Sequence, residues 1–145
     1  MVKNISNLGD AAVYCDFGFE VNEKINTSVI NYFHHVSKLI KNKKIEGITN
    51  LTPSYNKLII SFDLNITNYK KIKNFIEELT INRDIKNNNQ KIKIPVCCDD
   101  EYGLDFPRLT EKLNIDKDKI LELYFNKEYF CYMTGFIAGM PFLGD

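Results

Sequence analysis

The stretch that decides the fold runs from Ala11 to Phe62, AAVYCDFGFEVNEKINTSVINYFHHVSKLIKNKKIEGITNLTPSYNKLIISF, because its apolar period changes along the way. Ala11, Val13, Cys15 and Phe17 alternate with less apolar neighbours, the period of a strand with one buried face. From Ile25 the step lengthens. Ile25, Val29, Tyr32, Phe33, Val36, Leu39 and Ile40 recur every three or four residues and share one helical stripe, with Asn22 placed to cap it. Gly47 ends that pattern, residues 48–51 read as a short strand, and Pro53-Ser54 turns the chain into Leu58, Ile60 and Phe62, again at period two.

Toward the C-terminus, Asn68 can cap a second helix whose buried stripe is Tyr69, Ile72, Phe75, Ile76 and Leu79. Its charges oppose the helix dipole at both ends, with Lys70, Lys71 and Lys73 early and Glu77 and Glu78 late, so packing must hold it. Beyond the polar stretch 82–90, Ile92, Ile94 and Val96 read as a further strand, which Pro95 confines to a sheet edge. Strand, helix, strand, strand, helix, strand is the split βαβ, ferredoxin-like arrangement of an α+β protein, with both helices on one face of an antiparallel sheet. It fills a first domain, residues 1–90.

Asp105 is then placed to cap a short helix with Phe106, Leu109 and Leu113 on one side and Pro107 in its first turn, and Asp116 a second with Ile120, Leu121 and Tyr124 inward. Residues 129–136 are extended and apolar, and the glycine-punctuated run from Gly135 to Leu143 follows. A chain that stops just after such a segment reads as a fragment. The segment is expected to pack on the N-terminal unit or, by edge-strand pairing, on a second copy in a homodimer.

Across all 145 residues, 19 Lys+Arg balance 19 Asp+Glu and 44% are hydrophobic, an ordinary globular composition without the positive field that would draw nucleic acid or an anionic membrane. The basic run Lys41, Lys43, Lys44 and the run Asn87, Asn88, Asn89 read as solvated surface in an Asn-, Ile- and Lys-rich chain. No apolar run approaches the roughly 20 residues of a membrane span, and Met1–Asp10 lacks a signal-peptide pattern, so a cytoplasmic location is expected. Cys15, Cys97, Cys98 and Cys131 are irregularly spaced and read as reduced thiols.

Adjacent histidines His34 and His35 point about 100° apart on a helix and do not converge on one ion, and Cys97-Cys98-Asp99-Asp100-Glu101 lacks the ligand spacing of a tetrahedral site, so no metal is expected. A nucleophilic cysteine would need a base, and both histidines sit on an outward helix face. The common nucleotide and hydrolase signatures are missing. What remains is Gly135-Phe136-Ile137-Ala138-Gly139-Met140-Pro141-Phe142-Leu143-Gly144. Its glycines and aromatics suit either a tight backbone path beside a ligand or another chain, or a buried β-turn of a barrel.

Three segments carry a resemblance to a known family. Leu8-Gly9-Asp10-Ala11 is similar to its opening. Ile94-Pro95-Val96 with Asp99, Glu101, Gly103 and Asp105 resembles its I-P-V-x-Y-D-x-E-x-G-x-D-L stretch, and Tyr132-Met133-Thr134-Gly135-Phe136 through Gly144 its M-x-G-F-x-P-G-F-x-Y-L-G segment. The chain thus resembles the bacterial allophanate hydrolase subunit 1-like proteins, the family of the 5-oxoprolinase B subunit and of the kinase inhibitor KipI, also described as carboxyltransferase domain, subdomains C and D. It departs from the pattern at Cys98 and Phe142, where the family has Tyr, at Ala138, where it has Pro, and at Met140, where it has Phe.

The resemblance implies that residues 91–145 open a cyclophilin-like β-barrel domain that a longer chain would complete. It implies a subunit of an ATP-dependent amide hydrolase that opens 5-oxoproline to glutamate with a carboxyltransferase-like C subunit and a lactam-utilisation A subunit. ATP would act at the level of that complex. Gly135, Phe136, Gly139 and Phe142 are the candidate substrate contacts, with the backbone N–H groups of 135–139 as oxyanion donors, and no catalytic residue is assigned. The alternative it implies is a KipI-like regulator that docks on a sensor histidine kinase. Prolyl isomerase follows only from the barrel's name.

Overall fold

A computed structural model of the chain describes residues 2–42, 44–81 and 90–144. The elements are β1 (Asn4–Asn7), β2 (Ala12–Asp16), α1 (Glu23–Lys41), β3 (Ile48–Pro53), β4 (Lys57–Phe62), α2 (Tyr69–Glu78), α3 (Phe106–Leu113), α4 (Lys117–Phe125), β5 (Phe130–Thr134) and β6 (Pro141–Gly144). They form two compact units, residues 2–81 with 130–144, and residues 90–129.

In the first unit the sheet order is β1-β2-β4-β3, with every neighbouring pair antiparallel. The strands with the strictest alternation take the centre. Val13 and Cys15 of β2 and Leu58, Ile60 and Phe62 of β4 are buried on one face, while Tyr14, Asp16, Ile59 and Ser61 between them are half-buried on the other. α1 joins β2 to β3, and β4 lies between those two strands. Asn22 caps α1 by accepting the Ile25 N–H at 2.9 Å, and Asn68 caps α2 by accepting the Lys71 N–H at 3.0 Å. Val29, Tyr32 and Val36 of α1 and Ile72 and Ile76 of α2 join the strand residues in one core, so both helices cover the same face. Ile25, Phe33, Phe75 and Leu79 pack around its rim. The Tyr32 hydroxyl donates to the Ile76 carbonyl at 2.9 Å and ties the helices together.

The place beside β2 is held by residues 4–7 and not by 92–96, which form no strand. Ile92, Ile94 and Val96 are 77%, 61% and 52% exposed. The sequence NISN carries no alternating signal, but β1 reaches β2 through a short connection closed by the Leu8 N–H to the Ala12 carbonyl at 2.9 Å. Closing so short a loop costs less entropy than returning a strand from beyond α2, and Pro95 would leave a gap in the ladder. The polar stretch 82–89 and Lys43 lie outside the described residues.

The hairpin β5–β6 packs on the first unit, where Tyr132 is buried, which is one of the two coverings expected for this apolar segment. The sequence division into 1–90 and 91–145 follows chain order, whereas packing groups residues 130–144 with residues 2–81.

Residues 90–129 carry α3 and α4. Asp116 caps α4 through the Lys119 N–H at 2.7 Å, as its position suggested. Asp105 does not cap α3: its backbone is already helical and its carboxylate accepts from Arg108 at 3.1 Å. The chain enters α3 instead from a turn in which the Tyr102 and Gly103 N–H groups both reach the Asp99 carbonyl. Lys117 meets Asp100 at 2.6 Å, which lowers the Asp100 pKa and raises that of Lys117. No described side chain of this unit is fully buried, and Tyr124, expected inward, is 46% exposed. Helices of 8 and 9 residues cannot by themselves enclose a core.

Candidate functional site

The segment singled out in the sequence is the tip and second strand of the β5–β6 hairpin. Phe130 pairs with Gly144, Cys131 with Leu143, Met133 with Phe142 and Thr134 with Pro141, which makes Tyr132 the extra residue of a bulge. Across the tip, the Gly135 N–H donates to the Met140 carbonyl at 3.1 Å, the Ile137 N–H to the Gly135 carbonyl at 2.8 Å and the Met140 N–H to the Ile137 carbonyl at 3.2 Å. Gly139 stands third in the last of these turns with φ +81°, a conformation that favours glycine. Phe136 is bracketed by the Gly135–Ile137 bond at φ +64°, an uncommon state for an aromatic residue, and its side chain is 92% exposed. Among the described residues, the N–H groups of Phe136, Ala138 and Gly139 have no acceptor within the chain.

The structure therefore brings Gly135, Phe136 and Gly139 into one solvent-facing tip and places Phe142 beneath it. Phe142 meets the Tyr55 ring edge-on at 6.3 Å, and Tyr55 lies 5.6 Å from Tyr132, which in turn meets Phe130 at 4.8 Å. Gly144 allows the close approach of the Tyr132 ring, since a Cβ there would lie 2.9 Å from its Cε2. The Ser54 hydroxyl donates to Met133 Sδ at 3.4 Å. Tyr55 and the buried Asn26 were not singled out from the sequence, and Tyr132 entered only as the start of a resembling segment and not as a candidate contact. The one local signal was Asn26, a polar residue between Ile25 and Val29 on the apolar side of α1.

Elsewhere in the first unit, Lys57 meets Asp16 at 2.6 Å and also donates to the Gly18 carbonyl at 3.1 Å, while Asp16 accepts the Gly18 N–H at 2.8 Å. Burial pushes the Asp16 pKa up, but the hydrogen bonds from Lys57 and Gly18 and the charges of Lys57 and Lys3 outweigh it, so the net shift is downward. This cluster closes the β2 end of the sheet with its groups satisfied by one another. His34 is exposed and His35 half-buried on α1, and Cys97 Sγ lies 3.5 Å from Asp99 Oδ2. Among the described residues, no three His, Cys, Asp or Glu side chains are grouped to hold a metal ion, and no helix is long and apolar enough to cross a membrane.

A small antiparallel sheet with two helices on one face, joined by a glycine-tipped hairpin, is the setting in which comparison with known proteins becomes specific. Residues 3–145 match the model of the carboxyltransferase domain, subdomain C and D, and the chain belongs to that family. It is 29% identical to the 5-oxoprolinase B subunit of Bacillus subtilis (strain 168), over 97% of this chain and 62% of that protein. It thus spans less than two thirds of that relative's length. Crystal structures of TTHA0988 in space groups P212121 and P6522 superpose with TM-scores of 0.70 and 0.64 at 22% identity, covering 92% of this chain and 25% and 24% of theirs. At that identity the likeness is one of fold.

Proposed function

We propose that this chain is a subunit of an ATP-dependent cyclic-amide hydrolase that opens 5-oxoproline to glutamate together with a carboxyltransferase-like C subunit and a lactam-utilisation A subunit. The observation that carries the reading is the 29% identity to the 5-oxoprolinase B subunit over 97% of the chain. The finer fold belongs to the same reading: a ferredoxin-like first domain followed by the opening of a cyclophilin-like barrel, in a cytoplasmic protein.

Opening a lactam requires water to add its oxygen to the carbonyl carbon and the C–N bond to break with a proton passing to the leaving nitrogen, and negative charge gathers on the carbonyl oxygen as the carbon becomes tetrahedral. Donors fixed in advance at that oxygen lower the barrier. The N–H groups of Phe136, Ala138 and Gly139 suit this role because the three turn bonds fix the backbone around them, whereas those of Gly135 and Ile137 are already engaged. The exposed ring of Phe136 offers an apolar face to the methylene side of the lactam. The tip does not fit ATP: Tyr129 to Gly144 contains no Lys or Arg, and its glycines lead into a strand and not into a helix N-terminus. ATP is therefore assigned to the assembled complex, outside this tip.

The test is reconstitution. Glutamate is expected from 5-oxoproline and ATP when the full-length protein is mixed with its cognate A and C subunits, and not when any one of the three is left out or when residues 1–145 stand alone. No glutamate from the full mixture, combined with inhibition of a histidine kinase by the chain alone, would replace the hydrolase reading with the regulator.

A further inference from the structure

We infer that Asn26 is the positioning residue that fixes the glycine-tipped hairpin on its unit, an inference whose catalytic consequence rests on the proposed reading that this tip meets the substrate. Asn26 lies one turn after the cap of α1 and is 2% exposed. Its Nδ2 donates to the Tyr132 carbonyl at 3.0 Å, the Tyr55 carbonyl at 2.9 Å and the Ser54 carbonyl at 3.3 Å. An amide nitrogen carries two hydrogens, so at least one is shared among these acceptors.

The three carbonyls belong to two different segments, the β3–β4 turn and β5, and Asn26 holds both of them from α1. Tyr132 is the bulged residue, set outside the one-to-one register of the β5–β6 ladder, which accounts for its carbonyl reaching a side-chain donor. Two further kinds of contact between the hairpin and its unit are less directional. Ring contacts of Tyr55 with Tyr132 and Phe142 tolerate sliding, and a hydroxyl on a thioether, Ser54 to Met133, is a weak bond. Hydrogen bonds at 2.9 and 3.0 Å to two separate chain segments set distance and angle together. Met133 and Thr134 alone separate Tyr132 from the tip, so a shift of the Tyr132 carbonyl carries Gly135, Phe136 and Gly139 with it.

The chemistry of the side chain matters more than its size. Asp has nearly the same shape, but when ionised it only accepts, and it would face three carbonyl oxygens with no donor between them. In the full chain, Asn26→Asp is expected to speed amide exchange at residues 131–134 and 141–144 by about ten- to a hundredfold, the range that follows from losing buried hydrogen bonds, with β2 and β4 amides changed less than about twofold. Asn26→Ala, which leaves room for water to reach the carbonyls, is the milder second variant should the Asp variant not fold, with the same comparison. In the complex with cognate A and C subunits, and per folded chain, kcat/KM for 5-oxoproline is expected to fall about tenfold, mainly through kcat, because donors displaced from an oxygen that carries charge only in the transition state no longer lower the barrier. Unchanged hairpin exchange, or a rise shared equally by β2 and β4, would overturn the positioning role. A freed hairpin with unchanged kcat/KM would uphold that role and instead sink the reading that the tip meets the substrate.

Discussion

Ile72→Ala is expected to lower the unfolding free energy by about 3–4 kcal/mol, near the middle of the range for deleting a buried aliphatic side chain in a packed core. Ile72 is 1% exposed and packs from α2 onto a core that includes Leu58 and Ile60, both fully buried. Besides the packing of Ile72 and Ile76, α2 is held by its Asn68 cap and by the Tyr32 hydroxyl on the Ile76 carbonyl. It is 10 residues long, below the length at which isolated helices are stable in water, and it carries no acidic residue in its first turn and no basic residue in its last. Loss of this one side chain should therefore loosen the whole helix. Urea unfolding of the variant checks it, with Ile66→Ala, at a site 54% exposed, as the comparison expected to change stability by less than about 0.5 kcal/mol. A cost below about 1 kcal/mol for Ile72→Ala would mean that α2 is held by something other than packing.

The second large effect is loss of stability in alkali. Burial pushes the Cys15 thiol from 9.0 up to about 12. Burial also raises the Tyr32 hydroxyl well above the phenol range, with nearby Cys15 adding to the shift. Because the folded state holds these protons more tightly than the unfolded state, their contribution is complete below the unfolded values and is lost as the pH rises toward the folded ones. For Cys15 that window opens near pH 9.0 and closes at about 12. The thiol alone should then remove on the order of 3 kcal/mol by pH 11, at about 1.4 kcal/mol per pH unit. Unfolding curves at pH 8 and 11 for the native chain and for Cys15→Ala measure it, and the variant should lose distinctly less on going to the higher pH. Equal losses in both would remove Cys15 from the account. At neutral pH, thiol reagents should reach the exposed Cys97 and Cys131 in the folded protein and Cys15 only as it unfolds.

What the sequence made legible was local. The stripe from Ile25 to Ile40 and its cap Asn22 lie within one helix, and the alternation in β2 and β4 lies within single strands, so side-chain period alone identified them. β1 was missed because its pairing is set by a short connection to β2 and not by any pattern in NISN. Residues 92–96 were read as a strand because Ile92, Ile94 and Val96 alternate, yet alternation supplies no partner. Asp105 has a capping residue's identity but not its backbone: a preceding turn had already begun the helix.

The candidate site divides in the same way. The glycines of 135–144 announced a tight turn, and the structure gives one, with φ +81° at Gly139. Phe136 and Phe142 looked equivalent in sequence. The turn and the strand after it send one into solvent and the other against Tyr55, a separation that depends on backbone geometry across the tip. Asn26 stands 106 residues from Tyr132, and no local pattern could have joined them.

Amide hydrogen exchange on the full-length protein assembled with its cognate A and C subunits, with and without 5-oxoproline, shows whether the hairpin tip receives the lactam carbonyl. 5-oxoproline is expected to slow exchange at Phe136, Ala138 and Gly139, whose N–H groups have no acceptor among the described residues, and to leave β2 and β4 unchanged. Protection that appears only elsewhere in the complex, with these three amides exchanging as before, would contradict it.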